Sequence, residues 1–383
     1  MKGLNEARIS KLWDALVVGA GPAGCAAAYD LAVAGRAVLL VDRCDFPRPK
    51  ACAGGLTMKT VRALRYPVKP VTRDVVHRIL LEKNGGGSTL VKTRGPICVM
   101  TVRAELDAYC LSQTLQAGVQ FLKTPGVKVI EQQSDRVLVD TGREVLCARF
   151  LVGADGVNSS VRRFCAGAGE VKKGFALEAQ VPMPAEPVNL TFDFGAVRNG
   201  YGWIFPKGDH LNVGLGYYTG RGEDALNRER LMEYIGLRLG TNVVDHVVGQ
   251  FLGIADINAA CDYRRILLAG DAAGLVDPLT GEGIYSAVIS GQAAAKAIDS
   301  GLREAAGSAA EVHAADSIYR ETLAPLREVL AFSTRAAGSF YANPDRGFQA
   351  LTLPGLRTAL LKTYAQGLNS GMLLRILQRR RAA

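Results

Sequence analysis

What the chain lacks bounds it first. Its eight cysteines (Cys25, Cys44, Cys52, Cys98, Cys110, Cys147, Cys165 and Cys261) form no C-x-x-C pair, and the N-terminus has no apolar segment of the signal-peptide kind. A reducing cytoplasm is therefore the expected compartment. No apolar run reaches the roughly 20 residues that span a bilayer, because Asp271, Asp277 and Glu282 interrupt the best candidate. The four histidines, His77, His210, His246 and His313, have no ligand-like spacing, so no metal site is expected. G-x-S-x-G and comparable hydrolase signatures are missing as well. Nor is there a long block of one charge: a net charge of +10 is spread over most of the chain, and only the closing LLRILQRRR concentrates it. Charge alone selects no partner, and no nucleic acid is expected.

What is present describes a large globular protein. With 383 residues, 48% of them hydrophobic, the chain can bury a sizeable core in two joined domains with a C-terminal extension. DALVV at 14–18 and AVLLV at 37–41 bracket an alanine-rich segment and read as a βαβ unit. PRPKACAGGL follows as a loop, then strand-like pieces at 75–100, an amphipathic helix near 104–117, a hairpin at 127–140 and a buried strand at 149–153. Residues 174–218 read as an antiparallel sheet, after which RILLAGD re-enters the parallel one. The expected fold class is thus α/β. Residues 1–75, 100–165 and 260–300 form a discontinuous Rossmann-like nucleotide-binding domain, 76–99 and 166–259 an inserted antiparallel substrate domain, and 301–383 a helical C-terminus.

Gly19, Gly21 and Gly24 of VVGAGPAG fit G-x-G-x-x-G between a strand and a helix, where backbone N–H groups can receive a pyrophosphate. Asp42 ends the next strand, 18 residues after Gly24, where a carboxylate can accept from a ribose. Two later stretches add Asp155-Gly156 in LVGADGVNSS and Gly270-Asp271 in RILLAGD, followed by Gly281-Glu282-Gly283. This trio resembles the flavoprotein hydroxylase superfamily. The resemblance implies one non-covalent FAD, held by Gly19, Gly21, Ala23, Gly24, Asp42, Arg43, Asp155 and Gly156. It gives Asp271 the ribityl or pyrophosphate portion and Gly283 and Ile284 backbone N–H groups toward the flavin pyrimidine. Arg103 in TVRAELDAY matches an arginine near the cofactor, and Val127 lies by the adenine. Read from its residues alone, Arg103 also fits a surface arginine paired with Glu105 or Asp107.

A narrower resemblance comes from YGWIFP at 201–206, followed by seven residues and GLG. It is similar to the Y-x-W-x-F-P…G-x-G signature of geranylgeranyl reductases, and PKACAGGL at 49–56 is similar to their Cys-Gly-Gly loop, with Ala53 where many relatives carry glycine. On a strand Tyr201, Trp203 and Phe205 share a face, and Gly214 and Gly216 leave an opening on the next one. The same three rings also fit an ordinary sheet core. The resemblance implies a flavoenzyme that saturates prenyl chains, with NADPH or ferredoxin as electron donor and Cys52, Ala53 and Gly55 near the flavin. A prenyl chain has no polar handle and must be held by shape against apolar walls. Hydride addition to an alkene also needs a proton at the other carbon, for which Cys52 and the Tyr201 hydroxyl are candidates, with Trp203 beside them. Cys52 equally fits a small thiol that only shapes its loop.

Two other readings stay open, an FAD-dependent monooxygenase or halogenase and a flavin-bearing maturation partner of another protein. Near the C-terminus Leu356, Leu360, Tyr364, Leu368, Met372 and Ile376 recur every four residues beside Arg357, Lys362, Arg375, Arg379, Arg380 and Arg381, with Gly367 and Gly371 splitting the stripe. The stripe fits packing against the body or a peripheral contact with anionic membrane.

Overall fold

The computed structural model describes residues 11–367 apart from 85, 166, 219–225, 257–263 and 305–308. The first two apolar runs become the parallel strands Leu12–Val18 and Val38–Asp42, joined by the helix Pro22–Val33. Gln120–Lys123 extends the sheet beside the second strand, and Val145–Gly153 pairs parallel with the first in the register Val17 to Val152. Ile266–Leu268 returns from far along the chain to the other side of Val145–Gly153. The antiparallel hairpin Val129–Gln132 and Val137–Asp140 closes that edge. The βαβ start and the late re-entry therefore meet in one sheet.

Small side chains bring the flanking helices close. Ala23, Ala26, Ala27 and Ala28 are buried on the first helix, which packs on the helix Ile284–Glu304. A methyl group at Gly291 would stand 2.2 Å from the Ala23 carbonyl, so the two backbones approach at a distance only glycine permits there.

The second sheet has seven strands in the order Asp245–Ile254, Lys172–Pro182, His210–Tyr217, Gly200–Pro206, Leu190–Phe194, Arg78–Glu82 and Ser88–Lys92. All neighbours are antiparallel except Leu190–Phe194 with Arg78–Glu82. A small sheet of Gly55–Thr57, Cys98–Met100 and Asp74–Val76 lies between the layers in sequence, and the boundaries expected at 75 and 100 fall inside two of its strands. Strands of three residues are too short to show a period in sequence.

The C-terminal region is helical: Ala309–Ala342, Pro344–Thr352 and Pro354–Gln366. Its last two helices fold back on the antiparallel sheet, burying Phe348 and Ala365, with Leu361 and Tyr364 packed against the same cluster. Of the expected stripe Tyr364 thus packs inward, and the helix ends at Gly367, whose backbone is left-handed (φ +70°). Leu368, Gly371, Met372, Arg375, Ile376 and Arg379 to Arg381 lie outside the described residues, as does Cys261. Among the described residues no helix is long and apolar enough to cross a membrane.

Candidate active site

The glycine loop is fixed by contact distances. At Gly24 a methyl group would lie 1.8 Å from the Gly19 carbonyl, and at Gly19 (φ +101°) it would lie 2.4 Å from the Ala154 carbonyl, so both positions need glycine. Gly21 is different: a methyl there would meet only the Arg48 guanidinium, at 3.8 Å. The helix Pro22–Val33 begins at this point without a side-chain cap, so open space, unclaimed N–H groups and a cation converge there. That cradle fits the diphosphate of a dinucleotide. Asp42 braces it by accepting from the Ala20 N–H (2.8 Å) and the Cys44 N–H (2.9 Å), while Arg43 beside it is exposed.

Deeper in, charges gather with little water. Arg103 is only 8% exposed and closes on Asp107 with two bonds of 2.9 and 3.0 Å; Arg48 approaches the same carboxylate at 3.5 Å. Arg103 is therefore a buried arginine paired with Asp107 and directed at Cys52. Asp271 accepts from the Gly253 N–H (3.2 Å), and burial raises its carboxyl above the ordinary range against the pull of Lys50 and Arg103. Burial likewise lowers the Lys50 ammonium. Gly283, at the start of the long helix, lies beside Asp271, and Ile284 is the first residue of that helix.

Three further expected cofactor residues are Asp155, Gly156 and Val127. The Asp155 carboxylate accepts from the Ser159 hydroxyl and the N–H groups of Ser160 and Val161, so it organises its own turn; Gly156 (φ +80°) faces open space. Val127 is buried in the core packed around the parallel sheet.

The aromatic strand Gly200–Pro206 is buried along its whole length. Tyr201 meets Phe192, Phe194, Trp203 and Tyr218, with ring centroids 5.0 to 6.2 Å apart, and Phe205 meets Phe192 at 5.3 Å. The opening expected over Gly214 and Gly216 is filled by the protein itself. A methyl at Gly214 would lie 2.2 Å from the Trp203 indole, and one at Gly216 would lie 2.7 Å from the Tyr218 hydroxyl. The glycines seat two rings rather than leaving a cleft, and Trp203 Nε1–H consequently reaches Asn212 Oδ1 at 2.7 Å.

The wall touches both loops that carry the remaining motifs. Phe205 stacks over Gly55, the Tyr201 hydroxyl donates to the Thr280 carbonyl, and Tyr218 lies against Gly281. Burial raises the Tyr201 hydroxyl well above its ordinary range, so its proton is held on that carbonyl. Glu282 is anchored by Lys59 and Thr57, each at 2.6 Å, Asp277 by Ser333, and the Leu279 carbonyl by Tyr341. Cys52 is half-buried and accepts from the Gly54 N–H at 3.4 Å. Below it the Glu178 carboxylate accepts from the Cys52 N–H (2.9 Å), and Lys207 donates to the Ala53 carbonyl and, at 3.1 Å, to that of Thr101.

Sequence reasoning named Asp107 only as a surface partner of Arg103, and it missed Arg48, Lys50, Glu178 and Lys207. The available signals were the two cations flanking Pro49 just ahead of Cys52, and Glu178 set within the apolar run 175–179. The assembly offers a diphosphate cradle, a low-water cluster of charges, and a thiol where an aromatic wall meets a helix start.

Residues 13–313 match a family described as an FAD binding domain. The chain is similar to a menaquinone reductase of Mycolicibacterium smegmatis, at 34% identity covering 75% of this chain and 76% of the relative. It is similar also to a digeranylgeranylglycerophospholipid reductase of Methanocaldococcus jannaschii, at 30% identity covering 78% and 79%. A solved structure from Thermoplasma acidophilum, described as geranylgeranyl bacteriochlorophyll reductase-like, shares the fold with a TM-score of 0.73 at 20% identity, covering 86% of this chain and 88% of the other.

Proposed function

This chain belongs to the FAD binding domain family and is an FAD-dependent oxidoreductase, and on that footing we infer that it saturates carbon–carbon double bonds in the prenyl chain of a lipid. The observation that carries this reading is the junction of a fully buried aromatic wall with the Cys52 loop, made where Phe205 stacks over Gly55. Two relatives point the same way, since menaquinone and digeranylgeranylglycerophospholipid both bear prenyl chains.

FAD, when bound, supplies the hydride that one alkene carbon receives. The backbone at Gly21 and the Arg48 guanidinium would hold the diphosphate, with Lys50, Arg103 and Asp271 gathered deeper in. Tyr201, Trp203 and Phe205 form an apolar wall that excludes water and orients the chain by shape alone. The proton for the second alkene carbon comes from Cys52 Sγ, leaving a thiolate beside Arg103 that solvent reprotonates. Tyr201 contributes a ring surface, its hydroxyl being occupied by Thr280. Electrons arrive from NADPH or a ferredoxin. The basic end of the chain would lie against anionic lipid.

The reading is tested by mixing anaerobic, dithionite-reduced, FAD-loaded protein with a geranylgeranyl lipid and following flavin absorbance. Reoxidation by the lipid, slowed at least about tenfold in Cys52→Ala, is expected. Reoxidation only on admitting air would turn the assignment to a monooxygenase.

A further inference from the structure

Three polar backbone groups of the Cys52 turn described above are held from outside it. The Cys52 N–H goes to Glu178, the Ala53 carbonyl receives Lys207, and the Gly54 carbonyl accepts from both the N–H and the hydroxyl of Thr101, each at 2.9 Å. Gly54 itself is left-handed (φ +62°), and a methyl there would lie 2.2 Å from the Thr101 carbonyl, so the turn has one shape. Two of these partners are charges in places where charges are costly: Glu178 is 6% exposed and Lys207 is 2% exposed.

The geometry points to Glu178 and Lys207 as a pair of positioning residues that set where the Cys52 thiol stands and tie it to the aromatic wall. This rests on the role proposed for the thiol above. The tie is a chain of contacts along one face of the sheet. Glu178 and Trp203 are the two cross-strand neighbours of Gly214, so they share its face. Because Gly214 has no side chain, the Trp203 indole crosses it to donate to Asn212, and the Asn212 side chain in turn faces the Glu178 carboxylate and favours its ionised form, while Glu178 receives the Cys52 N–H. A ring that shifts to admit a substrate thus pulls on the thiol's own turn. Lys207 follows the last residue of the aromatic strand and closes the opposite side of that turn. The charged and titratable groups facing Lys207 are Cys52, Cys98 and Glu178. Those facing Glu178 are Lys207 and Arg103, with Tyr218 alongside. Burial raises the Glu178 carboxyl and lowers the Lys207 ammonium to about 8, and each group's opposite charge works against that shift without outweighing it.

The test reads the thiol rather than turnover alone. In FAD-loaded protein, iodoacetamide labelling of Cys52 is measured by peptide mass relative to Cys44, a free and partly exposed thiol. Glu178→Leu and Lys207→Met are each expected to raise this ratio about fivefold or more as the turn opens. They should lower kcat for alkene reduction about tenfold while KM changes by less than about threefold, the pattern of a misplaced group. Glu178→Gln, which keeps an acceptor for the Cys52 N–H, should recover most of the Glu178→Leu loss. Should the truncations fail to fold, amide exchange on the wild-type protein decides. The Cys52 N–H must then exchange at least about 100-fold slower than an unstructured amide.

Labelling and kcat both unchanged in the truncations, or an unprotected Cys52 amide, would overturn the proposal. If Cys52→Ala keeps its full rate while labelling still responds to Glu178 and Lys207, the proton role has failed and the clamp stands. If Cys52→Ala is inactive while labelling ignores both residues, the clamp has failed and the proton role stands.

Discussion

Gly214 and Trp203 define one contact that two substitutions can probe. A methyl placed 2.2 Å from the indole cannot fit, so Gly214→Ala is expected to destabilise the protein by about 1–3 kcal/mol. In a Trp203→Leu background the cost should shrink by about 1 kcal/mol or more, read from urea midpoints as a double-mutant cycle; strict additivity would show that the ring does not occupy that space. Arg48 makes the matching case at the phosphate end. Arg48→Met should weaken FAD binding about tenfold or more in a fluorescence titration, the loss of a charge-assisted contact, and an unchanged affinity would remove Arg48 from the cradle. Gly19 and Gly24 were legible in sequence because each answers a demand of the glycine loop, a left-handed φ or a close approach, whereas Gly214 and Gly216 were read as an opening that two rings in fact fill. Arg48, Glu178 and Lys207 were not legible, because what they touch is set by the tertiary fold: Glu178 meets Cys52 across 126 residues and Lys207 meets Ala53 across 154.

Elements divide in the same way. The βαβ opening, the hairpin and the late parallel strand carry their own apolar period and turn residues, and they form where that pattern places them. The three-stranded sheet carries no such signal, and neither does the destination of the last helices. A helical period shows that 344–366 is helical, but it does not show that its apolar face covers an aromatic wall made 140 or so residues earlier. Here Tyr364 packs edge-on to Phe192, and Phe340 of the preceding helix packs on Phe194, so the C-terminal helices together roof the proposed prenyl site. Phe348 is the buried anchor of that roof. Phe348→Ala is expected to cost about 3 kcal/mol and to make 344–366 the first segment cut by a protease, with the parallel sheet still resistant. Cleavage starting elsewhere would mean that the roof is held by other contacts.

At the scale of the molecule, pH acts through buried thiols. Burial pushes Cys98 and Cys110 each up to about 12, whereas in the unfolded chain a thiol titrates near about 8.5. Between those values the unfolded state has lost a proton that the folded state keeps. Stability present below about pH 8.5 is therefore lost as pH rises, by about 1.4 kcal/mol per pH unit for each thiol. Urea midpoints should fall steeply from pH 9 upward, and Cys98→Ala with Cys110→Ala should flatten that fall; an equal slope in the double variant would refute the assignment. The whole molecule also carries the functional reading, in which the cradle, the charge cluster, the wall and the thiol serve one reaction. Its most direct check is the mass of a geranylgeranyl lipid after anaerobic incubation with reduced, FAD-loaded protein. A gain of hydrogen pairs without oxygen is the expected result, whereas a lipid of unchanged mass under nitrogen that gains oxygen in air would contradict prenyl reduction.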